Sequence, residues 1–109
     1  SGYDHNWCLN QDMAEPECSL PGLEVYFAAS AESSGRRMEV CTSLPGMQMY
    51  AGNFIDENEI MKGGKSFTRR GGLAFETQYF PNAINVPSFE QPVLRAGETA
   101  RSRTVYKFS

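Results

Sequence analysis

The sequence predicts an all-β fold of antiparallel strands, and three features predict it. Short runs of alternating polar and apolar residues recur along the chain. Ten glycines and six prolines, spread over 109 residues, cut those runs into strand-sized pieces. Helical periodicity is nearly absent, and only Asp56–Lys62 has the composition of even a short helix.

Each element follows from local chemistry. Leu23–Ala29 (LEVYFAA) is a strand, Ser33-Ser34-Gly35 a turn, and Arg37–Thr42 (RMEVCT) the returning strand of a hairpin. In the returning strand Met38, Val40 and Thr42 share one face, and Arg37, Glu39 and Cys41 the other. Leu44-Pro45-Gly46 interrupts the chain before the strand Met47–Ala51, where Gln48 and Tyr50 oppose Met47 and Met49. Residues 56–72 are charged and glycine-rich, the composition of an exposed loop. Leu73–Phe80 (LAFETQYF) is the most apolar strand and calls for cover on both faces. Residues 81–97 contain Pro81, Pro87, Pro92 and Gly97 and make a long ordered loop. Thr99–Phe108 (TARSRTVYKF) is a long strand. Five or six strands with large apolar faces and open edges find little partner surface in a chain of this length. The segment is therefore expected to pack inside a larger sheet assembly.

Composition narrows the function. Ten Lys+Arg against thirteen Asp+Glu leave a formal net charge of −3, which excludes nucleic-acid binding through a global positive field. Hydrophobic residues at 40% and charged residues at 21% exclude wholesale disorder. No apolar run approaches the ~20 residues of a membrane span, and no basic-then-apolar leader is present. No membrane partner and no signal peptide are expected. Cys8, Cys18 and Cys41 are an odd set, read as reduced thiols in a cytoplasmic protein rather than a disulfide framework. They contain no CxxC pair, and the only histidine, His5, lies near Cys8 alone, so no metal site is expected.

Three clusters carry polar groups in apolar surroundings. Glu76 lies within Leu73–Gln78, where alternation puts Ala74, Glu76, Gln78 and Phe80 on one face. A carboxylate enclosed there needs a partner or a task, and desolvation raises a glutamate pKa from ~4.3 toward neutrality, as a general base requires. The competing reading is a glutamate on a solvated face beside Gln78. The opening stretch Gly2–Trp7 is a loop of alternating polar and aromatic residues. Flat rings suit the face of a sugar, and Asp4 and Asn6 suit its hydroxyls. Equally, Asp4 serves as a turn residue and His5 as a backbone hydrogen-bonding group. In the third cluster Gln48, Tyr50 and Asn53 punctuate a glycine-bounded strand. Neutral amides recognise hydroxyls without a charge penalty, whereas the alternative leaves Asn53 in a turn, Tyr50 in the core and Gln48 merely exposed. Gly63-Gly64-Lys65-Ser66 lacks the spacing of a phosphate-binding loop and is read as a flexible tip.

At these clusters the sequence resembles the aldose 1-epimerase (galactose mutarotase) family. The matching stretches are Tyr3-Asp4-His5-Asn6, Ser34-Gly35-Arg36 with Met38-Glu39-Val40, and Pro45-Gly46 through Gln48, Tyr50 and Gly52-Asn53-Phe54. They continue through Glu76-Thr77-Gln78, Phe80-Pro81-Asn82-Ala83 with Asn85, Pro92-Val93-Leu94 with Gly97-Glu98-Thr99, and Thr104-Val105-Tyr106. The order is kept nearly end to end. The resemblance implies a large antiparallel β-sandwich, the galactose mutarotase-like supersandwich. Residues 1–109 would be a single segment forming its last third or so, the C-terminal part, with the upstream portion of the same fold as partner. It implies that Glu76 is the general base taking the proton from the C1 hydroxyl, and that Asp4 and Gln48 bind the sugar. The family's acid is a histidine in an upstream motif absent from this chain, and His5 does not match it. Trp7, Cys8 and Tyr79 depart from the residues common in the family.

The implied reaction interconverts the α and β anomers of a free hexose such as galactose or glucose by acid–base ring opening. It uses no cofactor, and the chain by itself would be inactive. Two other functions stay in view: a non-catalytic carbohydrate-binding β-sandwich, and an epimerase of hexose phosphates. The latter needs a cationic cluster, for which Arg36, Arg37, Arg69 and Arg70 are available.

Overall fold

A computed structural model describes residues 2–109 of the chain. Six strands are formed: β1 (Asp4–Cys8), β2 (Tyr26–Ser33), β3 (Arg36–Thr42), β4 (Gly46–Tyr50), β5 (Ala74–Gln78) and β6 (Thr104–Phe108). They assemble as two three-stranded antiparallel sheets, ordered β1-β4-β5 and β2-β3-β6. The fold class is all-β, as the alternating runs predict.

Turn chemistry fixes the β2–β3 hairpin. Ser34 and Gly35 both have positive φ, 55° and 73°, the two left-handed residues that a two-residue turn between right-twisted strands requires. Ser33 therefore pairs with Arg36, and the ladder runs back to Tyr26 opposite Thr42, with one bulge between Phe27 and Ala29. The strand is longer at its far end than the predicted Leu23–Ala29 and starts later. Leu23 instead pairs with Leu20 in a tight turn.

Four further expectations are corrected. Gly2–Trp7 is not a loop: Asp4–Cys8 is strand β1, paired with β4 from Asp4 opposite Tyr50 to Cys8 opposite Gly46. Asp56–Lys62 forms no helix. The Asp56 carboxylate accepts bonds from the Asn58 backbone N–H (2.9 Å) and side-chain amide (2.8 Å), a local turn that competes with helix propagation. Those bonds also hold the Asp56 pKa below its usual value. Only a single 3₁₀ turn, Ala83–Asn85, is helical among the described residues. Residues 99–103 are irregular and only Thr104–Phe108 is strand. Leu73 and Tyr79-Phe80 flank β5 rather than belong to it, and Leu73 is exposed.

The core is small. Among the described residues the buried hydrophobics are Cys18, Val25, Val40, Cys41, Met47 and Ala83. Cys18 and Val25 come from the long β1–β2 connection, which lies over Cys41 on one face of the second sheet and packs on Phe27 and Val105. A cavity of about 510 Å³ opens among Trp7, Leu9, Met13, Phe27, Met47 and Phe75, between the apolar face of the first sheet and β2. The radius of gyration is 16.5 Å, against about 13 Å for a compact domain of this length. Trp7, Leu73, Tyr106 and Phe108 are exposed apolar surface.

Within the loop of residues 81–97, one side chain ties residues 83–91 together. Gln91 Nε2 donates to the carbonyls of Ala83 (2.8 Å), Val86 (3.0 Å) and Phe89 (2.9 Å). That clamp holds Phe89 edge-on to Phe80, with ring centroids 5.0 Å apart.

Candidate functional site

The register of the first sheet builds a polar row. Antiparallel pairing places Asn6 opposite Gln48 and Gln48 opposite Glu76. One step along, Asp4 is opposite Tyr50, which is opposite Ala74. Directly paired residues share a face. Asp4, Asn6, Gln48, Glu76 and Gln78 thus occupy one side of the sheet, while Trp7, Met47, Met49 and Phe75 occupy the other. The three residues singled out in the sequence, Asp4, Gln48 and Glu76, are brought together from three strands.

Hydrogen bonds tie the row. Gln48 Nε2 donates to Asp4 Oδ1 at 2.7 Å. Gln78 Nε2 donates to Asn6 Oδ1 at 3.1 Å and to Gln48 Oε1 at 3.3 Å. Asn6, which the sequence pairs with Asp4 as suited to sugar hydroxyls, joins this row, and so does Gln78, which sequence reasoning named without giving it a role. Their signal was parity, since each stands two positions from a candidate, Asp4 or Glu76, on the same strand.

Gly46 makes the row possible. It is buried in the central strand, paired with both Cys8 and Gln78. A Cβ at this position would lie 2.7 Å from Asn6 Oδ1 and 2.9 Å from Phe80 Cδ1. The missing side chain leaves the notch through which Gln78, on one edge strand, reaches Asn6 on the other.

Two expectations fail here. Glu76 is exposed, not dry. It sits on an edge strand, and among the described residues no second layer covers the polar face, so the enclosure inferred from its apolar neighbours in sequence is not provided. The aromatics of the opening stretch also do not flank its polar groups. Tyr3 packs against His5 and Trp7, with centroids 5.9 and 6.2 Å apart, and Trp7 lines the apolar cavity. Strand alternation sends these rings to the face opposite Asp4 and Asn6. His5 accepts a hydrogen bond from the Asp4 backbone N–H at Nδ1 (3.1 Å), the backbone role weighed for it. Among the described residues no group of three or more His, Cys, Asp or Glu is arranged to hold a metal ion.

Asn53 holds the frame of the site. It is buried; its Oδ1 accepts from Gly2 N–H (2.8 Å) and Arg70 Nε (3.2 Å), and its Nδ2 donates to the carbonyls of Gly2 (3.0 Å) and Tyr3 (3.2 Å). Arg69 Nε donates to the Asn53 carbonyl (2.9 Å). The entry to β1, and with it Asp4, is locked to the segment after β4. Tyr50 Oη accepts from Phe54 N–H (2.9 Å) and shapes the same turn.

Comparison with known proteins gives the family. The family model described as aldose 1-epimerase matches residues 1–107. Galactose mutarotase of Rattus norvegicus is 40% identical over 108 residues, covering 99% of this chain and 29% of the relative. Galactose mutarotase of Homo sapiens is 39% identical over 109 residues, covering 100% and 30%. Aldose 1-epimerase of Escherichia coli is 30% identical over 109 residues, covering 98% and 29%. The chain thus spans about three-tenths of the length of these curated relatives. With a family model matched along almost its whole length and a polar row carried on three paired strands, the chain belongs to the aldose 1-epimerase family.

Proposed function

We propose that the chain forms one wall of a sugar site in a mutarotase, an isomerase that interconverts the α and β anomers of a free aldohexose such as galactose. Glu76 is the general base that draws the proton from the C1 hydroxyl. An acid, a histidine from the remainder of the fold, protonates the ring oxygen as the C1–O5 bond breaks. Rotation about C1–C2 and reclosure, with base and acid exchanging roles, give the other anomer. Asp4 and Gln48 bind hydroxyls. The observation that carries the reading is the register that puts Asp4, Gln48 and Glu76 on one face. Family membership and the names of the relatives add the reaction class.

The open polar face fits a site completed by a further portion of the same fold, which would cover Glu76 and supply the acid. The 109-residue chain by itself then gives negligible mutarotation. A free hexose is favoured over a phosphorylated one. Arg69 and Arg70 both donate to Asn53, and Arg36 and Arg37 lie at the hairpin of the other sheet. No helix among the described residues is long and apolar enough to cross a membrane, and Cys8, Cys18 and Cys41 are unpaired thiols. The free thiols accord with a cytoplasmic setting.

The test is anomer exchange of galactose and of hexose phosphates, followed by NMR, for the intact protein and its Glu76→Gln variant. The expected loss in kcat is on the order of 10²–10⁴-fold. Retained exchange in the variant would remove Glu76 as the base, and no exchange above the spontaneous rate in the intact protein would leave a non-catalytic sugar-binding role.

A further inference from the structure

We infer that Gln78 is a positioning residue: it fixes the orientation of the Gln48 amide so that Gln48 presents its nitrogen to Asp4 and to a sugar hydroxyl. The inference rests on the reading of Asp4 and Gln48 as sugar contacts.

The argument is one of hydrogen-bond polarity. An ionised carboxylate only accepts, so at 2.7 Å from Asp4 Oδ1 the Gln48 amide must turn its NH₂ toward Asp4. Its Oε1 then faces away and only accepts. Gln78 Nε2 meets that oxygen at 3.3 Å and Asn6 Oδ1 at 3.1 Å. Both are acceptors, so Gln78 must present its NH₂ to both. The charge on Asp4 sets a direction that passes through two amides and ends on Asn6. A glutamine amide in isolation has two nearly equivalent orientations, with donor and acceptor interchanged. Here the carboxylate selects one from the Asp4 side, and Gln78 holds it from the other.

The sheet is built for this reach. Gln78 is on edge strand β5 and Asn6 on edge strand β1, two strand spacings apart, roughly 9–10 Å. A side chain on the central strand between them would close the path. At that position stands Gly46, paired with Gln78, with Asn6 Oδ1 occupying the space of its absent Cβ. With Gln48 held, one N–H of its Nε2 and the second oxygen of Asp4 are left without a partner among the described residues, on the polar face. These are a donor and an acceptor side by side, suited to a hydroxyl, which both donates and accepts.

The test is a double-mutant cycle in the intact protein, read as KM and kcat for galactose anomer exchange. Gln78→Leu is expected to raise KM about fivefold, the value of one uncharged hydrogen bond, with kcat within about twofold. In a Gln48→Ala background the same substitution is expected to change KM by less than about twofold, because the group it positions is gone. Equal increases in both backgrounds, an unchanged KM, or a loss confined to kcat would overturn the positioning role while leaving Gln48 as a contact. An unchanged KM in Gln48→Ala alone would overturn the sugar-contact reading itself, and the inference with it. If Gln78→Leu does not fold, judged by its melting transition, Gln78→Met keeps the side chain's length, has no N–H to donate, and must give the same pattern.

Discussion

Thr77 Oγ1 lies 2.9 Å from Thr104 Oγ1, and this hydroxyl contact joins β5 of the first sheet to β6 of the second. Thr104 Oγ1 is also 3.2 Å from Thr42 Oγ1 on β3, and Thr42, fully buried, accepts from the Leu44 N–H at 3.1 Å. Three β-branched residues, whose χ1 is stiff, thus relay one hydroxyl chain across the sandwich, from the strand of Glu76 into the second sheet.

The relay predicts an order of losses. Thr77→Val removes one end and should destabilise the intact protein by about 1 kcal/mol. Thr104→Val breaks both contacts and leaves the buried Thr42 hydroxyl with the Leu44 N–H as its remaining partner, and should cost about 2 kcal/mol. Urea midpoints with an unchanged m-value are the measurement. Equal effects, or a larger one at Thr77, would show that the hydroxyls are not acting as a chain.

Gly46 should tolerate no side chain. In Gly46→Ala the new methyl would sit 2.7 Å from Asn6 Oδ1 and 2.9 Å from the Phe80 ring. Overpacking of this kind costs about 1–3 kcal/mol. Because the displaced atom accepts from Gln78, the variant should also raise KM for galactose. A melting temperature and KM both matching the parent protein would refute the notch.

How much of this was legible depends on how far each interaction reaches along the chain. The β2–β3 hairpin was readable because Ser34 and Gly35 decide it locally. β1 was not: His5 and Trp7 carry polar atoms on an apolar face, which blurs the alternation that would mark a strand. Asp56 has the composition of a helix start, but its carboxylate bonds to Asn58 and closes a local turn instead. Alternation assigned Gln48 and Glu76 each to a face, yet only the pairing of β1, β4 and β5 puts them on the same one. That register is a property of residues 24 to 46 positions apart, and the family resemblance, not the local pattern, groups them. The expected dryness of Glu76 failed for a related reason. Apolar neighbours in sequence point to both faces of a strand, and cover for either has to come from elsewhere.

Asn53 should behave as a distant control on the site. Asn53→Ala removes four side-chain hydrogen bonds that hold Gly2, Tyr3 and Arg70, and leaves the part-buried Gly2 N–H and carbonyl without those partners, a loss of about 1–2 kcal/mol. Since β1 then loses its anchor one residue from Asp4, KM should rise more than kcat falls. Hydrogen exchange of the β1 amides reports the loosening directly. Unchanged protection of β1 would show that pairing with β4 suffices to hold it.

The packed thiols should give stability an alkaline edge. Burial pushes the Cys41 thiol from 9.0 up to about 11, the neighbouring Cys18 thiol adds to the rise, and the Lys107 ammonium opposes it. Between these values the unfolded chain carries the thiolate while the folded chain keeps the thiol, so the unfolded state binds fewer protons. The contribution is therefore fully present below pH 9 and is lost as pH rises through about 11. Lys107 acts in the same direction: a hydrogen bond to Cys18 holds its pKa above the usual lysine value, and its ammonium is 3.8 Å from Glu15. Cys41→Ala isolates the thiol. The variant starts less stable because of the cavity, but its urea midpoint should fall less steeply across this window than that of the parent. Parallel falls in the two proteins would mean that Cys41 already ionises as freely in the folded state as in the unfolded one.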